Sequence, residues 1–329
     1  MKTRFEKLPT PIHTASVTTV ECTETLLAEW FGAPVVLTNS GRSAIFLTLQ
    51  HYGLSRHKDS IALQRFVPQC VMDTVTRCAF PVDTAQENKA DVTLFYHQYG
   101  FTQVVRPEGR LVEDIAHSFF ATADTGQRSW AGETAIFSIP KFFPTSSMVG
   151  GIIARDEAVA ESLRRRRDDT PIKTVDEVRE ESRIFRKQYQ TGGQELELLM
   201  LARLRNPRVL DEELGGLPTT LEEIKAVGAK RRVVLDTLLE AAGADATPPG
   251  WDDMLHTTLP YELPVTGAPE RLAELDVTFK NVGIASDIYH IDINRNQFSP
   301  NYQKMLLVPY SHLIPDDLLA EIVRALRAG

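Results

Sequence analysis

The sequence predicts an α/β fold: a large domain with a mostly parallel sheet flanked by helices, and a small C-terminal α/β domain. In the first half of the 329-residue chain, short apolar runs rich in β-branched residues alternate with helical patterns, which is typical of strand–helix–strand crossovers. Asn206-Pro207 and Gly215-Gly216 then interrupt the pattern, and a second helix-and-strand series follows. We therefore predict a large domain over 1–212 and a small domain over 213–329.

The individual elements follow from the spacing of apolar residues along the chain. Helical spacing predicts helices at 25–31, 43–52, 71–78, 156–167, 175–204, 221–243, 269–275 and 315–326. Short apolar runs predict strands at 34–38, 60–65, 91–96, 109–113, 134–138, 149–154, 257–265 and 305–309. The helix at 156–167 opens with acidic residues and ends in four arginines, as the helix dipole favours. These arginines are a solvated helix end or, alternatively, a patch for phosphate or membrane.

Composition excludes several classes of protein. The apolar fraction of 43% and charged fraction of 24% are those of a globular protein with a sizeable core. A net charge of -8 argues against a nucleic-acid partner. Three separated cysteines without a CxxC pair predict neither a disulfide framework nor a metal site, and favour a reducing cytoplasm. We expect no signal peptide and no membrane partner, because no run approaches ~20 apolar residues.

A small turn, Thr38-Asn39-Ser40-Gly41-Arg42-Ser43, lies between a predicted strand and a predicted helix. Free backbone N–H groups at such a helix start favour a phosphate, and the Ser40 and Ser43 hydroxyls add donors. An ordinary turn, in which Asn39 or Ser40 caps the helix, is the alternative.

Three further candidates follow predicted strands. Asp114 ends one strand, where ligands of parallel sheets bind; it either holds a pyridinium nitrogen or caps a following helix. Lys141 follows the strand 134–138 within an apolar segment, where desolvation can free its amine for Schiff-base chemistry; otherwise it is a surface residue. His97 is a pocket hydrogen-bonding group or a core histidine.

Together these motifs resemble the DegT/DnrJ family of sugar aminotransferases, enzymes of fold type I that depend on pyridoxal 5'-phosphate (PLP). The likeness spans roughly residues 25–155 and 255–328, and it rests on the shared order of short motifs. In this sequence they are Ser40 to Ser43, Pro68 to Met72, His97 to Gly100, Glu113 to His117, Phe137-Ser138 with Gly150-Gly151, and Leu307 to His312.

The resemblance implies roles for single residues. The turn containing Ser40 would bind the cofactor phosphate, with Gly41, Arg42, Ser43 and Ser138 as its donors. Asp114 would pair with the pyridine nitrogen, and His117 would replace the usual glutamine beside the ring hydroxyl. Lys141 would form the internal aldimine and carry the proton between substrate carbon and cofactor carbon. The resemblance also implies a homodimer, with the cofactor site at the subunit interface.

Three departures from the family pattern bear on substrate handling. The family lysine stands five residues after the serine of Phe-Ser, where this chain has Phe143, so Lys141 comes two residues early. Met72 occupies the position of an aromatic residue that stacks on the cofactor ring. Residues 189–194 replace an Asn-Tyr-Arg segment.

The leading hypothesis is therefore a PLP-dependent aminotransferase that moves an amino group from an amino acid to a ketosugar, free or nucleotide-linked, or to a related keto compound. The alternatives are a PLP-dependent dehydratase, isomerase or racemase, and a non-catalytic relative that binds a ligand or partner.

Overall fold

The structure is a computed structural model that describes residues 18–84, 90–106, 108–120, 130, 132–143, 148–171, 177, 180, 183–184, 204, 206–251, 254–255 and 258–328. Most of the helix predicted at 175–204, and the segment 189–194, lie outside these residues. The described helices are α1 (Val20–Phe31), α2 (Gly41–His51), α3 (Gln69–Val75), α4 (Glu157–Asp168), α5 (Leu221–Ala242), α6 (Pro269–Asn281) and α7 (Asp316–Ala328).

Seven strands form the large sheet: β1 (Val35–Thr38), β2 (Ser60–Leu63), β3 (Phe80–Asp83), β4 (Val92–Tyr96), β5 (Leu111–Asp114), β6 (Thr134–Ser138) and β7 (Gly150–Ala154). Their spatial order is β1-β7-β6-β5-β4-β2-β3. All neighbours from β6 to β3 are parallel, while β7 runs antiparallel to both β6 and β1. The predicted α/β class with a mostly parallel sheet is confirmed.

A smaller, fully antiparallel sheet has the order β8-β10-β9, with β8 at Glu262–Val265, β9 at Asp287–Asp292 and β10 at Tyr302–Pro309. The strand predicted at 257–265 begins later than expected, and the sequence reading missed both β3 and β9. Helices α5, α6 and α7 pack beside this sheet and against one another. The boundary predicted between residues 212 and 213 stays a prediction.

Alternate residues of the central strands enter two different apolar clusters. Leu37, Phe137 and Ile153 belong to one cluster, which also holds residues of the small sheet, whereas Val36 and Ile152 belong to the other. Side chains alternate across a strand, so both faces of the large sheet are covered. Continuous apolar runs such as Val35–Leu37 are therefore those of doubly buried strands.

The described parts of the chain contain no helix whose length and apolar content would let it cross a membrane. Among the same residues, no group of three or more His, Cys, Asp or Glu side chains converges to hold a metal ion.

Gly151 is required by packing inside β7, which makes its replacement informative. A Cβ there would lie 2.7 Å from Phe137 Cε1 and 2.9 Å from the Val36 carbonyl oxygen, both buried. We expect Gly151→Ala to lower the free energy of unfolding by about 1–3 kcal/mol through overpacking. Urea denaturation measures this change. Gly267→Ala is the matched control, since its Cβ meets nothing closer than 3.5 Å; equal midpoints for the two variants would contradict the prediction.

Candidate active site

The carboxyl ends of β1, β5 and β6 meet at one edge of the large sheet. Gly150, the first residue of the antiparallel β7, pairs with Thr38 on one side and with Ser138 on the other. Asp114 ends β5, the parallel neighbour of β6. Ligands of parallel sheets bind beyond this edge, and the turn 38–43, Asp114, Ser138 and Lys141 all lie there.

Ser40 caps α2 and leaves donors free at its start. The Ser40 Oγ accepts a hydrogen bond from the Ser43 N–H at 3.1 Å. Among the described residues, the N–H groups of Gly41 and Arg42 meet no acceptor, and the positive end of the helix dipole lies there. The two readings of this turn, helix cap and anion-binding site, are thus compatible.

The serine hydroxyls hold the turn in shape. Ser43 Oγ donates to Asn39 Oδ1 at 2.6 Å and lies 2.9 Å from Ser40 Oγ. Asn39 in turn donates two hydrogen bonds: its side-chain amide to the Asn206 carbonyl, and its backbone N–H to the Pro207 carbonyl. Ser40 and Ser43 are buried and bonded to one another. The Gly41 and Arg42 N–H groups, which have no acceptor among the described residues, and the nearby Ser138 hydroxyl are further groups that could hold an anion.

Gly150 lets the turn approach β7 closely. A Cβ at Gly150 would lie 2.8 Å from both the Gly41 Cα and the Phe137 carbonyl oxygen. Ser138 is also close, since a Cβ at Gly41 would lie 3.8 Å from the Ser138 Cβ. The turn, Ser138 and Gly150 therefore form one small cradle for an anion.

Asp114 is a buried carboxylate with few partners. Its Oδ1 accepts the Ala116 N–H at 3.0 Å, the one hydrogen bond it makes among the described residues. Burial raises the pKa of the Asp114 carboxyl, while the Lys141 ammonium and the Ala116 N–H act in the opposite direction. No helix follows Asp114 here, because residues 115–120 form turns, so the alternative that it caps a helix is wrong.

Lys141 ends a short 3-10 turn, Ile139–Lys141, that continues β6. Its Nζ forms a short hydrogen bond with His117 Nε2 and lies 5.4 Å from the centre of the Tyr261 ring. Phe143, where the family has its lysine, is buried in the main apolar cluster. The tight 3-10 turn places Lys141 at the sheet edge, where its ammonium acts electrostatically on Asp114. This holds although Lys141 follows Ser138 by three residues and not by the five of the family pattern.

His117 lies in a stack of three rings. Tyr99 and Tyr261 both stack on its imidazole, with centroid distances of 5.1 and 4.8 Å and interplanar angles of 5° and 9°. Its Nδ1 lies 2.8 Å from the Tyr96 hydroxyl. No role was predicted for these three tyrosines; Tyr99 lies within the motif His97 to Gly100 and Tyr96 directly before it, whereas Tyr261 offered no signal.

The small sheet and the large sheet meet beside this stack. Gly100 has a left-handed backbone (φ 98°), and a Cβ there would lie 2.6 Å from the His117 carbonyl oxygen and 2.7 Å from Pro260 Cα. The Tyr261 N–H donates to the Tyr99 carbonyl at 2.9 Å. Behind Tyr261, the buried Arg231 donates to the carbonyls of Pro260 and Tyr261 at 3.3 Å.

His97 is a structural residue. It is fully buried, its Nε2 lies 3.1 Å from Glu113 Oε2, and its Nδ1 accepts the Gln103 N–H. The core-histidine reading is therefore correct. Met72 is half-buried and packs against the second apolar cluster, and Arg42 is half-buried at the start of α2.

A PLP molecule matches this donor set. Its phosphate dianion suits the cradle of unmatched N–H groups, and a pyridinium nitrogen suits a buried carboxylate with one hydrogen bond. Its aldehyde suits the amine of Lys141.

Comparison with known proteins agrees with this chemistry. A model of the family described as "Putative PLP-dependent aminotransferase" matches residues 30–215, more than half of the chain. No curated protein matches the sequence significantly.

Solved structures with the same fold include sugar aminotransferases. A DegT DnrJ EryC1 StrS aminotransferase from Brucella abortus is 14% identical, with a TM-score of 0.67 over 95% of this chain and 91% of that chain. Helicobacter pylori PseC, an aminotransferase involved in the biosynthesis of pseudoaminic acid, is 12% identical, with 0.66 over 95% and 91%. DesI, solved in the presence of its TDP-sugar product, is 15% identical, with 0.64 over 94% and 84%. At these identities the likeness concerns the fold, which is that of fold-type-I enzymes.

Proposed function

Because this chain belongs to the family of PLP-dependent aminotransferases, we propose that it transfers an amino group from an amino acid such as glutamate to a ketosugar or a related keto compound. We also propose that it is a divergent member of the DegT/DnrJ type. The observation that carries the proposal is the juxtaposition of Lys141, His117 and Asp114 beyond the anion cradle at the sheet edge.

In the proposed site, Gly41 and Arg42 N–H groups and the Ser138 hydroxyl bind the phosphate. Ser40 and Ser43 hold the turn that presents those groups. Asp114 holds the proton on the pyridine nitrogen, so that the ring supplies an electron sink when bound. Met72 remains a candidate for contact with the ring through its thioether.

Lys141 is the proposed site of covalent attachment and the proton carrier. When its amine is free, Nζ would carry the proton that leaves the substrate carbon. The Tyr261 ring and His117 lie against this amine and hold it in place.

Substrate class and assembly are further parts of the proposal. DesI was solved with its TDP-sugar product, and another structure of this fold, from Streptococcus pneumoniae, is described as a "putative sugar aminotransferase", which supports a free or nucleotide-linked ketosugar as acceptor. A homodimer is supported by the family resemblance. A cytoplasmic location is supported by Cys22, Cys70 and Cys78, all of them free thiols.

We expect PLP-loaded protein mixed with L-glutamate, without an acceptor, to release one 2-oxoglutarate for each bound cofactor. Anaerobic absorbance and coupled detection of 2-oxoglutarate measure this half-reaction. A panel of nucleotide-linked ketosugars should then restore the starting spectrum and gain an amino group by mass spectrometry. Loss of water from a sugar without 2-oxoglutarate release would support a dehydratase instead. Failure to bind PLP at all would support the non-catalytic alternative.

A further inference from the structure

A continuous hydrogen-bonded chain joins Tyr96, His117 and Lys141. The Tyr96 hydroxyl lies 2.8 Å from His117 Nδ1, and His117 Nε2 contacts Lys141 Nζ. Both ring nitrogens of His117 therefore have partners, and one partner is the amine proposed above to move protons. A glutamine in this position, as the family usually has, would offer no second basic nitrogen.

The Tyr96 hydroxyl determines which ring nitrogen of His117 carries a proton. Tyr96 is buried, and this burial, with the nearby Tyr99, Asp114 and Glu262, raises its pKa well above the ordinary value. Its O–H therefore stays protonated across the working range. A phenol oxygen accepts hydrogen bonds, so Tyr96 accepts from His117 Nδ1–H both in the neutral ring, whose Nε2 lone pair then faces Lys141, and in the imidazolium.

The surroundings of His117 can accept a positive charge. Tyr99 and Tyr261 stack on the imidazole at near-parallel angles, and aromatic faces attract cations. The Asp114 carboxylate lies near Tyr96 and Lys141 and adds negative charge. These groups act against the cost of placing a charge on a buried ring.

We propose that His117 is a second catalytic residue, which exchanges one proton with Lys141. In this step an N–H bond of the Nζ ammonium breaks and an Nε2–H bond forms, so that the positive charge moves to the imidazole and the amine becomes neutral. The reverse transfer restores the ammonium. Tyr96 is a positioning residue, because it acts only through His117. This inference rests on the proposed function for the use of the amine, but proton sharing itself does not require PLP.

The first test uses the full chain without PLP. Hydrogen–deuterium exchange at the His117 C2 position, followed by mass spectrometry, gives the pH midpoint of the ring. Two neighbouring cations repel, so the second proton binds the pair at a lowered pH. We expect the His117 midpoint to rise by at least about one pH unit in Lys141→Met. An unchanged midpoint would show that the two nitrogens do not share a proton, and would overturn the proposal. Lys225→Met is the control variant, because the Lys225 side chain is exposed on the surface of α5.

The second test uses the PLP-loaded enzyme. His117→Gln should retain the borohydride-fixed cofactor at Lys141, while the glutamate half-reaction slows about 10²-fold. In His117→Ala, imidazole added to the buffer should restore part of the rate, in proportion to its neutral fraction. Tyr96→Phe should move the His117 midpoint and slow the half-reaction less than His117→Gln. Equal rates for wild type and His117→Gln, or no rescue by imidazole, would mean that His117 serves packing alone. If no 2-oxoglutarate forms in any variant, the proposed function fails, while the apoprotein titration still decides the proton sharing.

Discussion

Lys141→Ala is expected to lower the rate of amino transfer by at least about 10⁴-fold, because the change removes both covalent attachment and the proton carrier. Its Nζ contacts His117 and acts electrostatically on Asp114. The cradle and Asp114 remain in the variant, so we expect PLP to bind non-covalently with an altered absorbance spectrum.

Borohydride reduction and peptide mass spectrometry identify the attached lysine, and the glutamate half-reaction gives the rate. Lys225→Ala is the matched control, since that side chain is 62% exposed on α5. The prediction would be contradicted by a reduced cofactor on any other lysine, or by Lys141→Ala retaining more than a tenth of the wild-type rate.

Asp114→Asn is expected to slow the half-reaction by about 10²–10⁴-fold. Breaking a buried charge pair costs about 3–5 kcal/mol, and each 1.36 kcal/mol corresponds to a factor of ten. An amide cannot hold the proton on the pyridine nitrogen, so the ring would lose its capacity as an electron sink.

The pKa of Asp114 separates this effect from unfolding. Its pKa is raised by burial, so the ionised form opposes folding at pH values above the ordinary carboxyl pKa. We therefore expect the apoprotein of Asp114→Asn to unfold at an equal or higher temperature at pH 7 while its activity falls. Asp91→Asn, on an exposed carboxylate that bonds Ser60, is the control for activity. If the apoprotein of Asp114→Asn instead unfolds at a clearly lower temperature, and activity falls only in proportion to the folded fraction, Asp114 has a structural role and no chemical one.

The fold class could be predicted because its signals are local. Runs such as Val35–Leu37 and Ala135–Phe137 are apolar throughout, as is typical of strands buried on both faces. β3 escaped prediction because Pro81 interrupts its pattern, and proline is tolerated there because β3 is an edge strand. β9 escaped because its apolar residues do not follow the alternation of a half-buried strand.

The site was predictable only where its residues come from strand ends. The turn 38–43, Asp114 and Lys141 follow strands that converge at one sheet edge, so their order along the chain carried the information. Tyr261 comes from a segment more than 100 residues beyond Lys141 in sequence, and only tertiary packing brings its ring to His117. The bonds that tie Ser40 and Ser43 to one another, and Asn39 to Asn206, likewise become visible only in the fold; the part of the two serines in phosphate binding stays a prediction.

The ring stack around His117 draws one tyrosine from each side of the predicted division at 212/213. A fragment confined to the first part would retain the proposed anion cradle, Asp114 and Lys141, yet its imidazole would lack the Tyr261 ring. Under the proposed scheme, such a fragment would keep the groups that hold the cofactor but would lose part of the surroundings of His117. Cofactor binding and proton exchange would then require different lengths of the polypeptide.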